Sequence, residues 1–247
     1  MKGDTMSLGG FRARAALLGV CGVAVLGFGG ASAQAKTVGA NCVKPLDLQA
    51  NGQDLAFCNL NAQTIGGAEA LAGSDLTGAK LNEATISGNS ALLEARLKGA
   101  SLNKSTISGN QALQDSDLIG AKLNEATISG GEAFFRAFMQ GASLNGSTIS
   151  GEEALGQAFL QGASLNKSTI SGAFALDEGA HLEGASLKES TISAFLGLEH
   201  ANLTGANLKG AKITGFDALF LAIYSNTTCP DGTNSDNDGG TCVGHGV

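Results

Sequence analysis

Three histidines, His181, His200 and His245, are the side chains here that titrate near neutral pH and ligate metals through imidazole. Glu178 and Glu199 stand close to the first two in sequence. Brought together by adjacent windings of the chain, that set could hold a cation, but no ligand set recurs at a metal spacing. A second metal motif lies in the tail. Asn234, Asp236, Asp238 and Gly239 reproduce N-x-D-x-D-G, the front of an EF-hand calcium loop. The position of the bidentate Glu is His245, a poor ligand for a hard cation. Asn, Asp and Gly also favour turns in their own right. The tail therefore reads first as a cap, with calcium its one cofactor candidate. No G-x-S-x-G, Walker, H-E-x-x-H or G-x-G-x-x-G motif occurs, and no base stands beside a nucleophile in the repeats. The chain is read as non-enzymatic.

The first 33 residues place Lys2, Arg12 and Arg14 before an apolar run, Ala15 to Phe28, and then "GGASAQA". That order reads as a bacterial-type secretory signal peptide cut after Ala33, and it predicts a secreted or periplasmic protein. Its removal leaves 12 basic against 21 acidic residues, a net charge of −9, which argues against nucleic-acid binding. No later apolar run is long enough to span a membrane. Cys42, Cys58, Cys229 and Cys242 remain, an even number that suits disulfides in an exported chain. Trp is absent and Tyr224 is the single tyrosine, so an aromatic-rich core is not expected.

What must position these residues is a repeat. "LNEATISGN" at Leu81 returns as "LNKSTISGN" at Leu102, "LNEATISGG" at Leu123, "LNGSTISGE" at Leu144 and "LNKSTISGA" at Leu165. Its isoleucine falls at Ile65, Ile86, Ile107, Ile128, Ile149, Ile170, Ile192 and Ile213. Each step is 21 residues except one of 22, where Gly179 is the insertion. Large apolar residues within a period are spaced 5, 5, 5 and 6, which fits neither an amphipathic helix nor a simple strand. Small residues such as Ala79, Ala84, Ala95 and Ala100 precede them by two. A flat side with small and large residues inward, followed by a corner, explains both columns. Four sides close a coil, and coils stack at about 4.8 Å, so eight make a rod roughly 35–40 Å long.

"SDLTGAKLNEATISG" at 74–88 and "HANLTGANLKGAKITG" at 200–215 resemble the A-(D/N)-L-x-x signature of pentapeptide-repeat proteins. The resemblance runs from about Gly52 to Leu219 and implies an all-β fold, a right-handed quadrilateral β-helix of about eight coils. It departs from the family in one six-residue side per coil ("NSALLE", "NQALQD", "GEAFFR", "EEALGQ") and in Thr, Ser or Lys at sites preferring Asp or Asn. Cytoplasmic members of the family mimic DNA and bind gyrase; mixed repeat charge and an export signal do not suit that role. The organisation read is a signal peptide over 1–33, an N-terminal cap over 34–54, the β-helix over 55–219 and a C-terminal cap over 220–247. Cys58 occupies an inward position of the first coil, while Cys229 and Cys242 bracket the tail beyond the last. Disulfides need Cα atoms within about 7 Å, so Cys42–Cys58 and Cys229–Cys242 are the expected pairs, one closing each end.

Outward positions then become files. Thr64, Thr85, Thr106, Thr127, Thr148, Thr169 and Thr191 flank the isoleucines on one side, and Ser87, Ser108, Ser129, Ser150 and Ser171 on the other. Such a plane is ordinary sheet surface, since Thr favours strands, or a lattice for ordered water as in ice-binding solenoids. Asn61, Asn82, Asn103, Asn124, Asn145 and Asn166 form an asparagine file, and corners alternate Glu83, Lys104, Glu125, Gly146, Lys167, Glu189. Phe138 and Phe159, with Phe135 near, make an apolar stripe for a protein partner or a second copy. The expected function is a rigid scaffold or binding surface. Ice binding through the Thr/Ser plane and self-association through the Phe stripe are the alternatives.

Overall fold

The isoleucine of each repeat is the middle residue of a triplet, most often Thr-Ile-Ser, and every such triplet is a short strand. The computed structural model describes Cys42, 50–177 and 179–247; the expected signal peptide, Glu178 and most of the expected N-terminal cap lie outside the described residues. The strands are β1 (Thr64–Gly66), β2 (Thr85–Ser87), β3 (Thr106–Ser108), β4 (Thr127–Ser129), β5 (Thr148–Ser150), β6 (Thr169–Ser171), β7 (Thr191–Ser193) and β8 (Lys212–Thr214). They form one parallel sheet in chain order. Ile107 pairs with Ile128 and Ile128 with Ile149, so identical residues stack without slippage. Two further sides carry their own parallel ladders, one from Asp54 to Ile223 and one from Asn59 to Thr228. The result is an all-parallel, four-sided β-solenoid with seven turns between β1 and β8.

The interior is made of columns. Ile65 to Ile192 are fully buried, as are Leu76, Leu97, Leu118 and Met139 on one side and Leu81, Leu102, Leu123 and Leu144 on another. The small residues two positions earlier, Ala79, Ala84, Ala95 and Ala100 among them, are buried beside them. The six-residue side buries two consecutive residues, such as Ala91 and Leu92 or Ala133 and Phe134. A strand cannot turn neighbouring side chains the same way. Here the second residue adopts a left-handed backbone, with φ of 62° at Leu92 and 65° at Phe134, which swings it inward.

One column has no room for a side chain. Gly67, Gly88, Gly109, Gly130, Gly151 and Gly172 follow β1–β6 with φ between 134° and 156°. A Cβ on Gly109 would run into the carbonyl oxygen of Gly88 in the preceding coil. Glycine is required there for two reasons, the backbone angle and the close approach of the coil below. After β7 the position is Ala194, and after β8 it is Gly215.

Both disulfides form as expected, with Cα separations of 5.9 Å for Cys42–Cys58 and 5.3 Å for Cys229–Cys242. The position of Cys229 differs from the sequence reading, which put it beyond the last coil. It lies one period after Leu208, is fully buried, and continues that leucine column. Tyr224 likewise follows Leu203 by one period and packs partly buried against the core. Ladder pairing at Ile223 and Thr228 shows two sides of a further coil before the tail departs. The tail escapes recognition in sequence because its columns change residue type.

Gly109→Ala should lower the unfolding free energy by about 1–3 kcal/mol, the usual strain range, read as a reduced urea midpoint by circular dichroism. Lys104→Gly, at a left-handed corner of φ 57°, should be neutral or stabilising, because it relieves a Cβ clash. Burial pushes the Tyr224 phenol from 10.0 up to about 12. Its phenolate absorbance should titrate there, uncontaminated by other tyrosines. The unfolded phenol ionises first, so this contribution to stability is intact below pH 10, falls from there to about pH 12, and then levels off. A native midpoint near 10 would mean that the ring is solvated.

Candidate binding faces

The sheet side projects Thr64, Thr85, Thr106, Thr127, Thr148 and Thr169 fully outward, while Thr191 is half-buried. Ser87, Ser108, Ser129, Ser150 and Ser171 are half-buried on the other edge of the strands. The in-register ladder spaces equivalent threonines at about one inter-strand step of 4.8 Å, and Thr from Ser along a strand at about 6.7 Å. The two files are chemically unequal. The Ser150 hydroxyl points back at the Ile128 carbonyl, 3.5 Å away, and serine has no methyl group.

The asparagine file is a working part of the fold. Asn124 donates its backbone N–H and its Nδ2 to Asn103 Oδ1, both at 3.0 Å. Its own Oδ1 accepts from the Asn145 N–H at 3.0 Å and the Ser143 hydroxyl at 2.7 Å. The pattern begins at Asn61 and closes at Asn166, whose oxygen accepts from the Lys188 N–H and the Ser186 hydroxyl. Each amide therefore satisfies a backbone donor at a corner of the next coil. The alternating corner charges meet as expected, Lys104 with Glu125 and Lys167 with Glu189, each at 3.6 Å. These pairs are exposed and contribute little. Elsewhere Arg136 grips Asp115 with two hydrogen bonds of 2.7 and 2.8 Å. The Thr77 backbone N–H, then its hydroxyl and Arg96, hold the Asp75 carboxyl below the usual carboxylate range.

Phe138 and Phe159 stack in register with centroids 5.0 Å apart, and His181 extends the pile at 4.9 Å from Phe159. The rings are nearly parallel, so Phe159 is covered on both faces by its neighbours, while Phe138 at the end of the pile stays 42% exposed. Phe135 does not join them. It lies on the six-residue side, half-buried, with the Arg136 guanidinium 5.9 Å from its ring. A second aromatic series, unassigned from sequence, runs from Phe174 edge-on to Phe195 and then stacked on Phe216.

The two central histidines do not share a site. His181 Nδ1 is 3.1 Å from Glu183 Oε1, whereas His200 gathers with Glu199 and Asp177, their ligand atoms within 4.8 Å of one another. The winding places His200 over the segment after Leu176, one period earlier, and that register decides its neighbours. In the tail, Asn234 Oδ1 accepts from the Asp236 N–H at 3.0 Å, and Asp236 Oδ1 from the Asn226 N–H at 2.7 Å. Two of the three candidate calcium ligands thus hold backbone around a 3-10 turn, Ser235–Asn237. Asp238 lies 4.0 Å from His245, which also approaches Asp231 at 3.3 Å.

Asn124→Ala removes one acceptor of the Asn145 N–H and should cost about 1–3 kcal/mol, measured as a lowered urea midpoint. Thr127→Ala on the open face should change stability by less than about 0.5 kcal/mol. Equal losses would overturn the distinction between a structural asparagine file and an open threonine face.

No curated protein matches the chain. Among solved structures, it is similar to HetL, a pentapeptide repeat protein involved in heterocyst differentiation regulation from the cyanobacterium Nostoc, at 24% identity over 74% of this chain and 92% of that one, with a TM-score of 0.24. It is also similar to QnrB1, a plasmid-mediated fluoroquinolone resistance protein, at 16% identity over 71% and 91% of the two chains, TM-score 0.24. A pentapeptide repeat protein of the Arabidopsis thaliana thylakoid lumen aligns at 20% identity over 54% and 70%, TM-score 0.14. At those scores the architecture rests on this chain's own ladders. The family model Pentapeptide repeats (8 copies) matches residues 198–217. That matched stretch is one winding of a unit carried in register from β1 to β8.

Proposed function

We propose that this protein is a non-enzymatic scaffold working outside the cytoplasm, with its Thr/Ser side as the surface offered to an extended partner. The observation that carries this reading is the file of exposed threonines held at one register over successive coils. A rod with a dry, columnar interior presents such a face rigidly, so a partner pays no ordering cost on the scaffold's side. Two disulfides favour an oxidising compartment. Among the described residues no helix is long and apolar enough to cross a membrane.

One partner chemistry fits the threonine file in particular, namely ordered water. Equally spaced methyl and hydroxyl groups on a flat sheet are the ingredients of an ice-binding face, and six threonines here are fully outward. The serine file lacks the methyl, which makes this a second reading. Self-association through Phe138 and Phe159 has less support, since their rings stack on one another.

Thermal hysteresis in the mature protein, lost in Thr127→Tyr/Thr148→Tyr with unchanged circular dichroism, selects the ice reading. Absence of hysteresis in the parent rejects it. Retention of a partner from envelope fractions by the parent, lost in the same double variant, supports the scaffold face. Retention unaffected by the substitutions overturns the assignment to that face.

A further inference from the structure

We infer that Asp177, Glu199 and His200 form a binding site for one divalent transition-metal ion of the zinc class, held between two adjacent coils. Their ligand atoms, two carboxylate oxygens and one imidazole nitrogen, lie within 4.8 Å of one another. Among the described residues no other group of three or more His, Cys, Asp or Glu side chains comes as close. Asp177 is 6% exposed, Glu199 is half-buried and His200 is exposed. The cluster thus has a dry floor and an open mouth.

The winding explains why these residues meet. Asp177 directly follows Leu176 and Glu199 directly follows Leu198, which belong to one column in successive coils. The same position holds Leu93, Gln114, Phe135 and Gly156 in earlier coils, none of them charged. His200 occupies the left-handed corner that Arg136 fills earlier in the rod, with φ of 57° and 55°. From that corner Arg136 reaches back one coil to Asp115, and His200 likewise meets Asp177 of the coil before it. The extra residue of the 22-residue period falls between Leu176 and Leu182, beside Asp177. The cluster therefore sits where the repeat departs from its period.

Like charges facing each other across a ladder repel, and a carboxylate taken out of water is stabilised by hydrogen bonds, a counter-charge or a metal. A dication between Asp177 and Glu199 turns that repulsion into shared coordination. The donor set selects the ion. Calcium takes a shell of oxygens, whereas imidazole combined with carboxylates suits zinc and its first-row neighbours. Zinc holds such ligands at about 2.0–2.2 Å, which puts tetrahedral ligand atoms about 3.4 Å apart. His200 Nδ1 and Glu199 Oε1 already stand 3.9 Å apart, so a small side-chain movement closes that pair. Three protein ligands leave the fourth position, at the open mouth, to water. Bound there, the ion fastens the irregular coil to the next one.

The mature, oxidised protein is freed of metal with a chelator and titrated with Zn²⁺ by isothermal calorimetry. One ion per chain is expected, undisturbed by excess Ca²⁺. Glu199→Gln and His200→Ala should each weaken binding by at least about tenfold with unchanged circular dichroism. Both side chains reach solvent, so these variants decide the question even if Asp177→Asn does not fold. His245→Ala in the tail should bind as the parent does. Saturating Zn²⁺ should raise the unfolding midpoint of the parent and not that of His200→Ala, since a ligand of the native state stabilises it. A parent that binds no Zn²⁺ overturns the inference. So does binding undiminished in Glu199→Gln and His200→Ala, binding lost in His245→Ala, or a midpoint that rises equally in His200→Ala.

Discussion

Everything in this molecule depends on the backbone of each coil bonding the coil above it without a shift in register. Because the ladder pairs Ile with Ile and Thr with Thr along the rod, a residue type chosen once in the repeat becomes a column. Columns of aliphatic side chains then fill the axis with no helix or second sheet needed to cover them. The same rule makes faults local and visible. A single extra residue between Leu176 and Leu182 is absorbed at a corner, and β6 and β7 still pair in register.

Register also explains why small residues matter as much as large ones. The glycine that follows every strand except β7 lets one coil pass close to the carbonyl of the coil before it. The asparagine file does the complementary work where corners leave backbone donors unpaired, accepting them on side-chain oxygens coil after coil. Close approach and polar satisfaction are solved by different residues on different sides. The threonine file stands exposed on the sheet side, apart from both.

The two ends are closed differently. At the first coil Cys58 ties an inward position to Cys42. At the last, Tyr224 and Cys229 extend two leucine columns, and the second disulfide pins a tail whose polar loop is folded on its own hydrogen bonds. Among the described residues, the sheet side and the six-residue side of the final coil have no backbone partner beyond them. A solenoid has no way to bury its end coils by itself, and among the described residues most exposed large apolar side chains lie in the last coils and the tail.

Composition and spacing alone determined the four-sided coil, its inward columns, the disulfide pairs and the outward files, because a strict period ties each residue to a copy of itself one turn away. The left-handed turn that buries both Ala91 and Leu92 was illegible, since consecutive inward residues contradict strand alternation and only the backbone angle resolves them. The partners of His200, the separation of Phe135 from the Phe138 stack, and the continuation of columns by Tyr224 and Cys229 were equally hidden. They depend on which residue stands one winding below, and near the insertion and the tail that neighbour is no longer a copy. Only the tertiary winding decided those contacts, since there the ladder joins residues of different kinds and the repeat ceases to predict its own neighbours.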